Sequence, residues 1–339
     1  MAQKKVLLIG GTGILGKAII SEALKEKIEI TVIGLSIDNS IPKEVIQIVA
    51  NRKDKTNFEE IVDKLNKKEK NWDLVLDIAD WDRQDAEQTY NLFKNYSRHF
   101  FIISTTLVYD RSNPDNQPIK ENHPLAKKGA LGGYVDNKLD IENFWQSIKD
   151  ANWTILRPYH IIGPTGSLLG CIPEHNRDPN LIESIKKGDI LILCNGGNYI
   201  VDTVDARDIG KVILKASGNK KTFFKAYNVI NPNHKTAKEY YEIIGKALGK
   251  EIKIKSKSIK DIWKENKGWQ LTTLPHKYDV SDLRKDIGFV PEISLEQSIK
   301  EALKNYKPIT LSISQIKVHQ RMTLLPRPKP IRWLIESEK

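Results

Sequence analysis

Five short apolar runs alternate with helical segments along the first third of the chain, and this alternation constrains the fold more than any other feature. The runs are KKVLLIGG, IEITVIGLS, EVIQIVANR, WDLVLDIA and HFFIISTTLVY, and the clearest helical segments between them are GILGKAIISEALKEK, NFEEIVDKLNKKE and AEQTYNLFKNY. Apolar runs joined by helices are typical of parallel sheets, in which each helix crosses over from one strand to the next. The sequence therefore predicts the α/β class, with a doubly wound parallel sheet covered by helices on both faces.

A glycine-rich turn follows the first apolar run and opens the first helix. The string VLLIGGTGILGKAII places Gly10, Gly11, Gly13 and Gly16 in this turn. Such glycines allow a tight turn, let the backbone approach a pyrophosphate and let the helix pack closely on the strand. The helix N-terminus adds N–H groups and the positive end of the helix dipole. The position of the turn predicts a Rossmann-type site for a dinucleotide.

The residue that would select between NAD and NADP is not evident in the second run. In a dinucleotide site, an acid at the end of the second strand binds the adenosine ribose of NAD, whereas a basic residue suits the extra phosphate of NADP. Gly34 and Leu35 stand at that place here, and Ser36, Asp38 and Asn39 follow slightly later. The sequence therefore predicts NAD or NADP as the cofactor without choosing between them.

The regular alternation of strands and helices loosens after about residue 163, where GPTGSLLGCIPEHNRDPN predicts a long loop. A chain of 339 residues is long enough for about two domains. We expect an NAD(P)-binding Rossmann domain over residues 1–163 and a smaller mixed substrate-binding lobe over residues 164–305, with some segments returning to the first sheet. Residues 306–339 are predicted to form a basic tail, in which prolines exclude a continuous helix.

The basic composition needs an explanation, because a positive charge can indicate a nucleic-acid or membrane partner. The formal net charge is +11, but the lysines are spread along the chain and interleaved with acids. The string IKIKSKSIK predicts an edge strand with one lysine-bearing face in water. No apolar run approaches the ~20 residues that span a bilayer. We therefore expect a solvated lysine-rich surface, with no membrane and no nucleic-acid partner, and keep an anion-attracting surface as the alternative.

The two cysteines, Cys171 and Cys194, are too few for a disulfide framework. The N-terminal string MAQKKVLLIGG begins like a secretory signal, but glycines interrupt its apolar stretch and no small-residue cleavage site follows. These features predict a cytoplasmic protein with reduced thiols. The seven histidines show no i, i+4 pair, so no metal site is expected.

Two groups of acids are interpreted as surface residues. Asp80, Asp82 and Asp85 in DWDRQD could coordinate a cation, but the solvated start of a helix is the preferred interpretation, because carboxylates suit that position. The helix predicted over GGYVDNKLDIENFW carries three further acids that we expect on its surface, Asp136, Asp140 and Glu142.

Several strings in a fixed order resemble the extended short-chain dehydrogenase/reductase family, and more narrowly its NAD-dependent epimerase/dehydratase group. Besides the glycine turn, they are ANRKD, DIA, STTLVY, YVDNK, WTILRPYHIIGP, VDTVDARDIG, AYNVINPNHKTAKEYYEIIGKALG and DVSDLRKDIGFVPEISLEQSIKEAL. The likeness covers roughly residues 4–305. It implies an NAD(P)-dependent oxidoreductase or epimerase that acts on a hydroxyl or ketone carbon of a small molecule, with sugars and sugar nucleotides among the candidates. A homodimer is kept as an open expectation.

The resemblance also assigns cofactor-binding residues. Asn51 stands in for an acid that contacts adenine in the family, and Ala79 is expected beside the cofactor. The full set that it implies is Gly10, Thr12, Gly13, Ile14, Leu15, Gly16, Asn51, Ala79, Tyr134 and Lys138.

The catalytic residues that the resemblance implies are Thr105, Tyr134 and Lys138. Tyr134 and Lys138 lie one turn apart on one face of the predicted helix. A tyrosine in water has a pKa of about 10, and a nearby ammonium favours the phenolate, so that the phenol can exchange a proton with a substrate hydroxyl. In the family the lysine also binds the nicotinamide ribose, and the hydroxyl at the position of Thr105 steadies the substrate oxygen.

Three departures from the family pattern concern the substrate. His160 stands where sugar-nucleotide enzymes of the group usually carry Asn, and Val201 stands before Asp202 where they usually carry an Arg that grips a diphosphate. Losing a bidentate anion clamp weakens the case for a nucleotide sugar. Thr106 and Leu107 occupy the places of the Asp-Glu pair of dehydratases, so dehydration is disfavoured. Thr106 and His160 are expected to face the substrate.

Two alternatives stay open. One is a carbonyl reductase that acts on a small molecule other than a sugar. The other belongs to a different class, a non-catalytic nucleotide-sensing or RNA-binding member of the fold, with which the charge of +11 is compatible. The presence of Thr105, Tyr134 and Lys138 argues against the second alternative.

Overall fold

The computed structural model describes residues 3–112, 117–130, 132–165, 168–171, 178, 180–265 and 276–307. Its strands are, in chain order, β1 (Lys5–Ile9), β2 (Glu29–Gly34), β3 (Ile46–Val49), β4 (Leu74–Asp77), β5 (Phe100–Ile103), β6 (Trp153–Pro158), β7 (His160–Ile162), β8 (Ile190–Cys194), β9 (Thr203–Asp205), β10 (Lys225–Val229) and β11 (Lys253–Lys257). Its helices are α1 (Ile14–Lys25), α2 (Lys55–Glu69), α3 (Arg83–Phe93), α4 (Gly133–Ser147), α5 (Leu181–Lys187), α6 (Ala206–Ala216), α7 (Ala237–Leu248), α8 (Ile259–Glu265), α9 (Ser281–Ile287) and α10 (Leu295–Lys304). A short 3₁₀ turn, Thr106–Val108, follows β5.

Seven of the described strands form one parallel sheet in the order β3-β2-β1-β4-β5-β6-β10. The five predicted apolar runs supply β1 to β5, so the prediction of a Rossmann-type doubly wound sheet is confirmed. The order reverses at β1, because β2 and β3 lie on one side of it and β4 to β6 on the other. In such sheets ligands bind in the crevice at the carboxyl ends of the strands beside this reversal. Here the crevice lies at the carboxyl ends of β1 and β4.

Side chains of β1 show how the two faces of the sheet are covered. Val6 and Leu8 pack in a buried cluster with residues of α1 and α6. Leu7 and Ile9 pack in a second buried cluster with residues of α2, α3 and α4. Because helices cover both faces, the central strands β1, β4 and β5 are mostly apolar and do not alternate with polar residues.

Part of the chain after β6 builds a second, smaller core. There β7 pairs with β9 and β8 pairs with β11, each in parallel. A third buried cluster joins residues of α5, β8, α7 and α10. The lysine string forms β11, on which Lys253 and Lys255 are exposed, so the predicted strand with a wet lysine face is confirmed. Helix α6 and strand β10 return to the first sheet, where α6 packs against α1 and β10 pairs with β6.

Two predicted segments lie partly or wholly outside the described residues. The predicted tail is described only to residue 307, and the predicted loop after residue 163 only in part. Within the described ranges, no helix is long and apolar enough to cross a membrane.

Candidate active site

The glycine turn between β1 and α1 is shaped by close contacts on two sides. Gly10 has a φ of +88°, and a Cβ on it would lie 2.8 Å from the Cβ of Ala79, at the end of β4. A Cβ on Gly16 would lie 2.4 Å from the carbonyl oxygen of Gly11. A Cβ on Gly13, by contrast, would meet nothing within 4 Å. The turn therefore packs tightly against Ala79 at Gly10 and against its own backbone at Gly16, whereas the space around Gly13 is free.

The open position coincides with the start of α1. Gly13 is the N-cap residue of this helix, and no side chain caps it. Thr12 is exposed, whereas Leu15 and Gly16 are buried and Ile14 is partly buried. The first N–H groups of a helix lack partners within the helix, and they carry the positive end of its dipole. This arrangement fits the pyrophosphate of a dinucleotide, which needs close approach to the backbone and donors to its oxygens.

The carboxyl end of β2 shows which groups lie where the adenosine ribose is expected. Leu35 is 74% exposed there. Asp38 accepts hydrogen bonds from the Ser40 hydroxyl and backbone N–H at 2.6 and 2.9 Å, and its carboxylate lies 2.9 Å from Lys17 Nζ. The Ser40 hydroxyl and the Lys17 ammonium lower the pKa of Asp38 to about 2. An ionised carboxylate paired with a lysine of α1 therefore occupies this corner.

Asn51 and Arg52 follow β3 but have different surroundings. Asn51 is exposed, and its side chain accepts a hydrogen bond from the backbone N–H of Lys53 at 3.0 Å. The Arg52 guanidinium is buried and donates to the Asp77 carboxylate at 2.8 Å and to the Asp85 carbonyl at 2.7 Å. Arg52 thus ties the end of β3 to β4 and α3, while the contact of Asn51 with adenine stays a prediction.

Lys138 lies inside the crevice and is held there by the protein. Its Nζ donates to the Asp80 carboxylate at 3.0 Å, to the Asp80 carbonyl at 3.1 Å and to the Ile103 carbonyl at 3.0 Å. An ammonium has three N–H donors, and these three acceptors account for all of them. Since Ile103 ends β5 and Asp80 follows β4, the lysine of α4 is fixed at the carboxyl ends of both strands.

The two charged groups of this pair have shifted pKa values. Burial raises the pKa of Asp80 to about 7, with a further contribution from the Asp77 carboxylate and against the opposing effect of Lys138. Burial disfavours the charge of Lys138, but the Asp80 carboxylate and then the Tyr134 phenol outweigh burial and raise the pKa of Lys138. Tyr134 precedes Lys138 by one turn of α4, which places it among the groups that raise this pKa.

Tyr134 and Thr105 both border the 3₁₀ turn after β5. Tyr134 is partly buried and packs against a small cluster that includes Val108 and Leu139. Thr105 is the N-cap of the turn, and its Oγ1 accepts a hydrogen bond from the Leu107 N–H at 3.2 Å. The hydroxyl hydrogen of Thr105 can then be donated to a substrate oxygen. Thr105, Tyr134 and Lys138 therefore all lie near the carboxyl end of β5.

Two of the three acids in DWDRQD, which were expected on the surface, are buried. Asp80 and Asp85 are 4% and 3% exposed, so the interpretation of a solvated helix start is wrong for both, whereas Asp82 caps α3 as that interpretation expects. Their burial follows from pairing, since Asp80 meets Lys138 and Asp85 lies 2.8 Å from Lys53 Nζ.

Glu142 was also expected on the surface of its helix, and this expectation is wrong. It is fully buried and accepts two hydrogen bonds from Arg157 of β6, at 2.6 and 3.0 Å. The spacing carries a signal for this, because residues four apart share a helix face and Lys138 precedes Glu142 by one turn. Asp136 and Asp140 lie on the partly exposed side of α4.

The residues that depart from the family pattern lie in the second core or beside it. His160 begins β7, and its ring centroid is 4.1 Å from that of Tyr159. Val201 is 4% exposed within the cluster of the second core. Asp202 is buried and lies 2.7 Å from Nδ1 of His234. An apolar core residue therefore fills the place where an anion-binding arginine was considered.

The sequence did not predict a role for Arg111, a buried arginine beside the 3₁₀ turn that follows β5. Arg111 donates to the carbonyl oxygen of Thr106 at 3.2 Å, and its guanidinium lies 5.7 Å from the ring centroid of Tyr159. Thr106 is itself fully buried, behind Thr105. No motif marks Arg111, because its surroundings are set by tertiary packing.

Comparisons with known proteins agree with this geometry. A model of the family described as "NAD dependent epimerase/dehydratase family" matches residues 6–229. Among curated proteins, none matches this chain by sequence. The structure is similar to the epimerase Mth375 of Methanothermobacter thermautotrophicus, with 15% identity over 94% of this chain and 95% of that chain and a TM-score of 0.72.

Two other solved structures show the same likeness. The UDP-N-acetylglucosamine 4-epimerase of Methanobrevibacter ruminantium is 20% identical over 90% of this chain and 99% of that chain, with a TM-score of 0.70. The UDP-glucuronic acid 4-epimerase of Bacillus cereus, solved with NAD, is 16% identical over 89% of this chain and 96% of that chain, with a TM-score of 0.66. At these identities the structures show a shared fold. The family match covers most of the chain, and it confirms the predicted enzyme family and its nicotinamide dinucleotide: the chain belongs to the NAD-dependent epimerase/dehydratase family of enzymes.

Proposed function

We propose that this chain is an NAD-dependent oxidoreductase or epimerase that acts at a hydroxyl or ketone carbon, with Thr105, Tyr134 and Lys138 as its acid–base residues. The observation that carries the proposal is their common position. Lys138 Nζ binds the carbonyl of Ile103 at 3.0 Å, Thr105 follows two residues later, and Tyr134 packs on the turn that Thr105 caps. This end of β5 lies next to the end of β4, against which the glycine turn is closed.

Each residue has a role that its surroundings support. Tyr134 exchanges a proton with the substrate oxygen, and Lys138, one turn further along α4, holds its ammonium at the end of β5. Thr105 donates its hydroxyl hydrogen to the same oxygen and orients it. The cofactor, when bound, supplies the hydride or accepts it. Thr105 and Lys138 are buried, which strengthens their electrostatic interactions with a bound group.

We further propose NAD rather than NADP as the cofactor of this chain. The corner at the end of β2 carries the ionised Asp38, whose charge is matched by Lys17, and the exposed Leu35 adds no cation. The extra phosphate that NADP carries on its adenosine ribose would lie beside this carboxylate, and the charge of Lys17 is already matched by Asp38. Gly13 and its neighbours Thr12, Ile14 and Leu15 would bind the pyrophosphate, and Asn51 the adenine.

The substrate class follows from two opposing observations. The neighbours that are UDP-sugar epimerases keep a sugar nucleotide among the candidates. Val201, however, is buried in the second core, so its position offers no side chain that could bind a diphosphate. A sugar or another hydroxyl or ketone compound without a diphosphate therefore fits this chain better than a nucleotide sugar does.

A substrate panel tests the proposal. The purified chain is incubated with NAD+ or NADH and with nucleotide sugars, free sugars and small ketones, and both the absorbance at about 340 nm and the products are followed. A reductase changes the absorbance in step with product, whereas an epimerase forms an isomer without net change. Failure of all substrates with a folded protein that binds NAD would contradict the proposal. Salt-dependent RNA binding without turnover would favour the non-catalytic alternative.

A further inference from the structure

A buried carboxylate meets the buried ammonium at the centre of the candidate site. The side chains of Asp80 and Lys138 are 2% and 10% exposed, and Oδ1 lies 3.0 Å from Nζ. The contact joins the segment after β4 to α4, across 58 positions of the chain. Charges that water does not screen act strongly on a charged group that binds beside them. The net charge of this pair therefore affects any cofactor in the crevice.

The other carboxylates near the pair have cations of their own, although the Asp77 carboxylate still adds to the raised pKa of Asp80. The neighbouring charged and titratable side chains are Asp77 of β4, Arg52 and Lys53 before α2, Asp85 of α3 and Tyr134 of α4. Arg52 lies 2.8 Å from Asp77, and Lys53 lies 2.8 Å from Asp85, so each of these carboxylates has its own cation. The carboxylate that compensates Lys138 is that of Asp80.

We propose that Asp80 neutralises the charge of Lys138 and thereby makes the site prefer the oxidised cofactor, NAD+, over NADH. The inference rests on the proposed function, in which hydride transfer takes place beside Tyr134 and Lys138, so that the nicotinamide would lie near this pair. The nicotinamide ring of NAD+ carries a positive charge and that of NADH is neutral. A lone buried ammonium would repel only the oxidised ring, whereas an ammonium paired with a carboxylate accepts it.

This preference suits one direction of reaction. An enzyme that begins by oxidising a substrate hydroxyl needs NAD+ in the site before the substrate arrives. A dedicated reductase needs NADH instead. Asp80 therefore favours the first direction, which an epimerase shares with an alcohol dehydrogenase.

Protonation of Asp80 should make the preference for NAD+ over NADH depend on pH. Because burial raises the pKa of Asp80, the carboxyl takes up a proton as the pH falls through neutrality, while Lys138 keeps its charge. The compensation is then lost, so NAD+ binds more weakly at lower pH and NADH is little affected. Above neutrality the carboxylate is ionised and NAD+ is accepted.

The ratio of the dissociation constants for NAD+ and NADH tests the inference. It is measured by titration calorimetry and by NADH fluorescence, in the wild-type chain and in Asp80→Asn. The variant should raise the ratio of Kd for NAD+ to Kd for NADH by about tenfold or more, a change that corresponds to about 1.4 kcal/mol. In Asp80→Asn/Lys138→Met both charges are gone, so the ratio should return toward the wild-type value.

Asp82→Asn is the matched control. It makes the same chemical change two positions along the chain, on a side chain that is 43% exposed. Asparagine caps a helix as well as aspartate does, so α3 keeps its start. The ratio should stay at the wild-type value in this variant.

A pH series on the wild-type chain makes the inference testable even if Asp80→Asn does not fold. From about pH 8.5 to about pH 6 the ratio should rise. An unchanged ratio in Asp80→Asn, or a ratio independent of pH in the wild-type chain, would overturn the inference and leave the proposed function intact. If neither cofactor form binds, the inference falls together with the cofactor role of the site. A shifted ratio without turnover of any substrate would support the inference and contradict the proposed function.

Discussion

Gly13 and Gly16 lie one turn apart and are glycines for different physical reasons. A Cβ on Gly16 would overlap the backbone of Gly11, which cannot rotate away as a side chain can. A Cβ on Gly13 would enter open space, at a φ of −81° that any residue adopts. The fold therefore requires a glycine at position 16, whereas the packing leaves room for a side chain at position 13.

Alanine substitutions at these two positions should separate stability from cofactor binding. Gly16→Ala should lower the free energy of unfolding by about 1–3 kcal/mol, the usual cost of overpacking. Gly13→Ala should change it by less than about 1 kcal/mol, but should weaken NAD binding, because the methyl group stands where the pyrophosphate approaches. Urea unfolding and NAD calorimetry on both variants measure the two effects. Wild-type affinity in Gly13→Ala would contradict the assignment of the phosphate site.

At the residue scale, the sequence suggested candidate site residues but not the side chains that surround them. Tyr134 and Lys138 were assigned from the resemblance of several strings in a fixed order, and the glycine turn from its position between the first apolar run and the first helix. The partner of Lys138, Asp80, could not be found in this way, since 58 positions separate the two residues. Its interpretation as a solvated acid failed because burial of a carboxylate depends on a cation that only folding brings near.

Helix α4 carries acids in two different environments, and the sequence of the helix alone does not distinguish them. Glu142 is fully buried against Arg157 of β6, whereas Asp140 has a 31% exposed side chain and lies 2.6 Å from Lys128 Nζ. The strength of an ion pair depends on such exposure. Breaking a buried pair leaves one charge without compensation in a medium that solvates it poorly.

Glu142→Ala should therefore lower the free energy of unfolding by about 3–5 kcal/mol. Asp140→Ala, two positions earlier on the same helix, should lower it by about 1 kcal/mol or less. Chemical denaturation of the two variants gives the comparison. Similar losses in both would mean that the pair with Arg157 does not anchor α4 to the sheet.

A buried histidine just before β5 links three elements in its neutral form. The backbone N–H of Gly218 donates to Nδ1 of His99 at 3.2 Å, so the ring hydrogen lies on Nε2, which is 2.9 Å from the Thr154 hydroxyl. That hydroxyl donates to the carbonyl of Thr222 at 2.6 Å. Burial lowers the pKa of His99 to about 3. Protonation of His99 would place the second proton on Nδ1, which already accepts a hydrogen bond from Gly218.

This histidine should make the fold less stable in acid. In the unfolded chain its pKa is about 6.5, so its contribution is complete above that pH and is lost as the pH falls toward about 3, by up to about 1.4 kcal/mol per unit. Urea unfolding at about pH 7.5 and about pH 5 should show a steeper loss in the wild-type chain than in His99→Gln. Equal losses in the two proteins would contradict the neutral buried state.

At the scale of elements, local pattern predicted β1 to β5 and their helices, because each run is apolar and each helix amphipathic. The pattern did not predict which later strand completes the sheet. Strand β10 lies about 65 residues after β6 yet pairs with it along Lys225–Val229. Such pairing is set by packing between distant segments, for which a short strand has no distinctive sequence.

Over the whole molecule, the segments after residue 163 do not remain apart from the dinucleotide site. A Cβ on Gly163, at the end of β7, would lie 3.1 Å from Ile14 at the start of α1. Helix α6, which follows β9, packs along α1 in the same core cluster as β1. Strand β1 and helices α1 and α6 therefore belong to one continuous core, against which Ile14 at the start of α1 packs.

A cytoplasmic location and a homodimer stay predictions, which cell fractionation and light scattering would test.

The Tyr134→Phe variant tests whether Tyr134 moves a proton while a nicotinamide cofactor is bound. Phenylalanine keeps the packing against Val108 and Leu139 and removes only the hydroxyl. Two quantities are measured in parallel with a substrate from the panel, the Kd for NAD+ and the rate of turnover. We expect an unchanged Kd and a rate lower by about 10²–10⁴. Wild-type turnover in the variant would contradict this role of Tyr134.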